Sequence, residues 1–186
     1  IRSLRLRHLA ASLRRAHRIR ARQERRSHAR RRAPAAAQLA RGTALQATKG
    51  LGAPETGETY ARARELCQQI GETARLFPVL FNLWHYYNVQ GEYATAVILG
   101  RQLLSLAEQA QDTALFLEAH HALWMTSFCL GDFVLARGHL EQGRAISHPQ
   151  QHHTHAFLYG GHDPGVCGRG SEAVVLWPLL LFGLAA

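Results

Sequence analysis

Positions 40 residues apart repeat each other through the middle of this chain, and that register limits the fold more than any other feature. Leu83 matches Leu123, Trp84 matches Trp124, Gly91 matches Gly131, Glu92 matches Asp132, Tyr93 matches Phe133 and Ala96 matches Ala136. A weaker copy aligns Tyr60, Ala63, Leu66 and Ile70 with Tyr93, Ala96, Leu99 and Leu103 at an offset of 33. The chemistry of the matched positions is that of a helix hairpin. Glycine permits a tight turn, the aromatic two residues later fills the groove between helices, and alanine lets two helices approach closely. A unit of this kind cannot bury its apolar face alone, so it stacks on a neighbour.

The local patterning agrees with helices throughout. From Thr59, Ala63, Leu66 and Ile70 recur at steps of three and four until Gly71. The run from Arg75 to Val89 carries Pro78 near its start and places Leu80, Leu83, Trp84 and Tyr87 toward a core. Tyr93 to Gln109, Thr113 to Leu130 and Phe133 to Ile146 follow with very short connections, as antiparallel neighbours require. No strand pattern interrupts them. Before this region, Gln38 to Thr48 reads as a short helix that the Gly/Pro-containing stretch 49–54 breaks.

Gly-acid-aromatic-x-x-Ala at 91–96 and 131–136, preceded by Leu-Trp in an aromatic helix, resembles the tetratricopeptide (TPR) repeat. The stretches at 47–55, 60–67, 139–143 and 155–160 further resemble the repeat region of large bacterial signalling proteins that carry nucleotide-cyclase and ATPase domains ahead of the repeats. The resemblance covers about residues 38–165 and stops at both ends. It departs from the general motif at Trp84 and Trp124, where a small residue is usual, and at Gly100 and Gly143 within second helices. It implies an all-α, antiparallel helix-pair solenoid fragment. It also implies a groove lined by the first helix of each pair, with Phe81, His85 and Asn88 from one unit and Glu118, His121 and Met125 from the next facing a partner. The cyclase and ATPase residues lie outside this chain, so no catalytic role carries over.

Charge divides the chain sharply. Residues 1–34 hold 13 Arg and one acid, Glu24, a net of +12, whereas the remainder has 9 basic and 12 acidic residues, a net of −3. Three readings of the basic stretch stand side by side. It is an arm for nucleic acid or an anionic membrane, a solvated and partly helical extension, or the product of a shifted frame. The last follows from 21 Arg against one Lys, which looks like very GC-rich coding. No aromatic residue interleaves with these arginines, which argues against a stacking platform for single strands. The stretch also lacks the apolar core of a secretory signal. Ile at position 1, where Met is usual, leads us to expect a fragment of a longer protein.

These features divide the chain into an Arg-rich irregular extension (1–37), a short helix and loop (38–56), TPR-like repeats (57–148) and a His/Gly-rich loop with an apolar C-terminal segment (149–186). The apolar stretch 173–186, broken by Pro178, is too short to span a bilayer, which needs about 20 residues. His148, His152, His153, His155 and His162 with Cys167 form one loose cluster, not the two rigid ligand pairs of a structural zinc site. The glycines at 50, 52 and 57 and at 165, 168 and 170 lack the strand-loop-helix setting and the Lys-Ser/Thr of a phosphate loop. No nucleophile and base stand out together, so no enzyme is expected, and no cofactor. Cys67, Cys129 and Cys167, odd in number and widely spaced, suit a reducing, cytoplasmic setting. The expected function is a non-catalytic scaffold for protein-protein or interdomain contacts in a bacterial signalling protein. The alternative is nucleic-acid binding through the arginine arm at residues 1–34.

Overall fold

The computed structural model describes residues 2–147 and 164–181. Seven α-helices account for nearly all of them: α1 Arg2–Lys49, α2 Pro54–Ile70, α3 Thr73–Val89, α4 Tyr93–Ala110, α5 Thr113–Cys129, α6 Phe133–Ile146 and α7 Pro164–Leu181. There is no strand among the described residues. Helices adjacent in the chain pack together from α1 through α7, and the odd-numbered helices α1, α3, α5 and α7 also touch one another in succession.

Turn chemistry sets this order. Between α3 and α4, Gly91 takes φ 77° while Glu92 N–H donates to Tyr87 O at 2.9 Å. Between α5 and α6, Gly131 takes φ 77° while Asp132 N–H donates to Ser127 O at 2.9 Å. A β-carbon is disfavoured at such an angle, which explains why glycine recurs 40 residues later. The turns between hairpins repeat as well, Gly71 at φ 64° before α3 and Gln111 at φ 51° before α5. Asp112 and Asp132 then cap α5 and α6, their carboxylates accepting from Ala114 N–H at 2.8 Å and from Leu135 N–H at 3.0 Å.

Two departures from the general repeat motif complement each other in space. A β-carbon on Gly143 would lie 2.8 Å from the Trp124 ring, and one on Gly100 would lie 2.8 Å from Leu123 Cδ2. The missing side chains on α6 and α4 make room for the large ones on α5. Ala96 and Ala136, both fully buried, provide the close contacts expected of the matched alanines. Tyr60, Phe77, Phe81, Leu83, Trp84, Leu99 and Leu103 form the main core, and Trp124, Leu140, Val175 and Leu179 a second cluster under α7.

The structure revises the sequence reading at both ends. Residues 2–49 form one helix, so the basic stretch is not irregular and 38–49 is not a separate short helix. Alanine, leucine, arginine and glutamine all favour helix here, and Pro34 sits exposed within it. The boundary at 37/38 falls in mid-helix because Ala35 is already core, packed with Ala63, Cys67 and Val79. At the other end, residues 164–170 belong to α7 instead of a loop, with Pro164 at the first helical position. Among the described residues no helix is long and apolar enough to cross a membrane.

Candidate functional site

The six residues assigned to a groove separate into interior and rim. Phe81 and Glu118 are fully buried and His121 is 2% exposed, whereas His85, Asn88 and Met125 are only partly covered. Two clusters account for this split.

The first is a polar seam between α3 and α5. Trp84 Nε1 donates to Thr126 Oγ1 at 2.8 Å, and the Thr126 hydroxyl lies 2.8 Å from Ala122 O and 3.1 Å from Asn88 Oδ1. The His85 imidazole stacks on Trp84 at a centroid distance of 5.4 Å. Asn88 and His85 thus finish a buried indole contact and leave one edge open to solvent.

The second is centred on His121, one repeat after Phe81, whose ring it meets at 5.8 Å. Its imidazole also contacts Trp84 at 5.7 Å and Trp124 at 4.8 Å. Nδ1 lies 3.6 Å from Glu118 Oε2, and Nε2 lies 3.4 Å from Cys167 Sγ on α7. Burial alone would push this imidazole down, but the Cys167 sulfur and the Glu118 carboxylate outweigh it and raise His121 to about 9. Burial pushes the Cys167 thiol up, and the imidazolium beside it outweighs that effect, so the thiol falls below its ordinary value. Ser171 Oγ is 4.0 Å from the same sulfur. Carboxylate, imidazole and sulfur are therefore in succession, a Glu-His-Cys relay that favours the thiolate.

The sulfur opens on an apolar cavity of about 340 Å³ between α5 and α7, walled by Trp124, Met125, Phe128, Ser171, Val174 and Val175. Trp124 Nε1 is buried and has no hydrogen-bond partner among the described residues. Its repeat equivalent, Trp84, is satisfied by Thr126, and no such hydroxyl serves Trp124. Sequence reasoning placed Cys167 in a histidine cluster instead. His148, His152, His153, His155 and His162 lie outside the described residues, and among those described no three His, Cys, Asp or Glu side chains are placed to hold a metal ion.

Two further histidines meet where α5 packs on α6. His120 Nδ1 and His139 Nδ1 are 3.2 Å apart. Burial, and then the neighbouring His139, lowers His120 to about 4, while burial lowers His139 as well. A depressed histidine contributes stability that is present above its unfolded value near 6.5 and is lost as pH falls through its folded value. Acidification from pH 6.5 to 4 should therefore lower the melting temperature, by an amount worth up to about 2 kcal/mol after allowance for partial exposure. Thermal melts of the parent and His120→Leu across this range check it. A parent whose melting is flat there, or no steeper than that of the variant, would contradict the assignment.

Comparison with known proteins adds one sequence relative. The chain is 27% identical over 141 residues to an uncharacterized protein of Rhizobium meliloti (strain 1021), a match that covers 73% of this chain and 13% of that protein. The chain thus spans about an eighth of the length of this relative. No family model matches the chain, and no solved structure matches it significantly.

Proposed function

We propose that this chain is a TPR-like, non-catalytic scaffold of stacked helix hairpins that makes protein-protein or interdomain contacts within a bacterial signalling protein. The observation that carries this reading is the repeated hairpin itself. α3–α4 and α5–α6 share turn geometry 40 residues apart, and α1, α3, α5 and α7 touch in succession, as the inner helices of a stacked array do. Such an array ends in an apolar face that another helix covers. On α7, Val174, Trp177, Leu180 and Leu181 are exposed, Trp177 by 65% and Leu180 by 67%. Uncovered, that face is sticky.

Sedimentation of the purified chain tests this. Self-association is expected, and Trp177→Glu with Leu180→Glu should restore a monomer without changing the helical circular dichroism signal. A parent that stays monomeric at high concentration would argue against a contact face on α7.

A second reading, nucleic-acid binding, is favoured by the unbroken helix that carries the 13 arginines of residues 1–34. Oligonucleotide binding that weakens by orders of magnitude between about 50 and 200 mM salt, and that disappears when 1–34 are removed, would establish it.

A further inference from the structure

The scaffold reading leaves the buried relay on α5 and α7 without a purpose. Glu118 is fully buried and His121 nearly so, an arrangement that repeat packing does not require, since the equivalent position to His121 is Phe81. Polar groups carry a desolvation cost that an apolar triplet would avoid. What the relay accomplishes is to favour ionisation of the sulfur, and that sulfur opens on a cavity.

We propose that Cys167 is a self-acylation site, whose sulfur takes the acyl group of a small acyl thioester and whose adjoining cavity receives the acyl chain. Three observations support it independently. Nε2 of His121 at 3.4 Å is placed to keep the sulfur anionic and to give up its proton afterwards. The cavity wall is apolar, with Met125, Phe128, Val174 and Val175 suited to methylenes and unsuited to a charged ligand. Trp124 Nε1, buried without a partner, is a donor that an acyl oxygen can satisfy.

The step balances. The Cys167 thiolate adds its electron pair to the thioester carbonyl carbon, forming a C–S bond and a tetrahedral oxyanion. The oxyanion collapses, the C–S bond to the donor thiol breaks, and the departing thiolate takes the proton held by His121. The products are acylated Cys167, a neutral imidazole and a free thiol, with no oxidant or metal involved. Described residues flank the His121–Cys167 pair on several sides. Glu118 faces the imidazole from the same helix, Ser171 approaches the sulfur from α7, and Trp84 and Phe81 on α3 present only rings. His120 and His139 form their own pair at the α5–α6 contact. Because the chain modifies itself once, the proposal does not conflict with a non-catalytic scaffold.

The chain carries its own reference thiol, since Cys129 is exposed and Cys167 is half-covered. The full chain is incubated at pH 7.0 with the octanoyl or the acetyl thioester of N-acetylcysteamine, and the adducts are mapped by peptide mass spectrometry. Cys167 is expected to be acylated by the octanoyl donor at least about ten-fold faster than Cys129, because the His121 imidazole stands at its sulfur and an apolar cavity lies beside it. His121→Gln should remove that advantage. Gly170→Leu projects a side chain at the cavity wall, where a β-carbon meets nothing within 4 Å. It should abolish the preference for octanoyl over acetyl while leaving Cys167 alkylation by iodoacetamide unchanged. Gly170→Leu therefore tests the proposal even if His121→Gln fails to fold. Equal acylation of Cys129 and Cys167, or an acetyl donor as fast as the octanoyl donor in the parent, would overturn it.

Discussion

Replacing Trp124 with alanine should lower the melting temperature of this chain by roughly 10 °C or more, corresponding to a loss of about 3 to 5 kcal/mol. The indole is 1% exposed and holds together α5, α6 and α7. Its ring meets His121 at 4.8 Å and occupies the space that Gly143 leaves on α6. A cavity there cannot collapse readily, because Ala136 and Leu140 are fixed by the α5–α6 turn and by one another. A domain of this size has a total stability of about 5 to 15 kcal/mol, so the variant would stand near the threshold of folding. The conservative change is informative in the other direction. Trp124→Phe removes a buried N–H that has no partner, whereas Trp84→Phe deprives Thr126 of its indole donor. The first should therefore cost about 1 kcal/mol less than the second, although the two positions are equivalent in the repeat. Melts of all three variants check this, and an unchanged midpoint for Trp124→Ala would show that the indole is not core.

What the sequence revealed follows from the kind of residue involved. Gly91, Gly131, Ala96 and Ala136 were readable because backbone angle and close approach each admit few residue types, so the same letter recurs at the same offset. Gln111 was not, since it adopts the left-handed angle without being glycine. The offset of 40 from Gly71 was the available signal. The exceptions at Trp124 and Gly143 looked like separate faults in the motif, and only their packing shows them to be one compensated contact.

Contacts across the last helix were beyond the pattern. α5 begins at Thr113, and a further repeat of 40 points to position 153, which lies outside the described residues, whereas Cys167 stands on α7. Repeat arithmetic therefore could not bring Cys167 to His121. The sequence grouped that cysteine with histidines near it in the chain, and the fold pairs it with one 46 residues away. The groove assignment failed to distinguish wall from interior for a related reason. The first helices of successive pairs do contact one another, and Phe81, Glu118 and His121 are buried rather than at the rim.

The second large effect expected is the release of α7 by Leu179→Asp. Leu179 is fully buried and Val175 nearly so, and together they contribute about 3 to 6 kcal/mol of apolar burial to the docking of this helix. A carboxylate at 179 would have no partner in a cluster of Trp124, Leu140 and Val175, and the least costly response is for α7 to leave. The Arg144–Glu172 ion pair, half-exposed, is too weak to hold it. Cys167 would then lose His121, and its thiol would return upward to the ordinary range, while His121 would fall from about 9. Their contributions to stability have opposite slopes. The raised His121 stabilises fully below about 6.5 and loses that as pH rises through about 9, and the lowered Cys167 stabilises above 9 and loses that as pH falls through its folded value. Between the folded value of Cys167 and 9 the two slopes therefore oppose each other. The variant should accordingly be less stable than the parent, with the two pH dependences offsetting each other in part. Its Cys167 should be alkylated at pH 7.0 no faster than Cys129, with the rate rising only toward alkaline pH, and circular dichroism should retain the signal of α2 to α6. Iodoacetamide kinetics read at both cysteines decide the matter. If Cys167 stays the faster thiol at neutral pH in Leu179→Asp, its ionisation does not depend on α7 lying against α5, and the relay is not its cause.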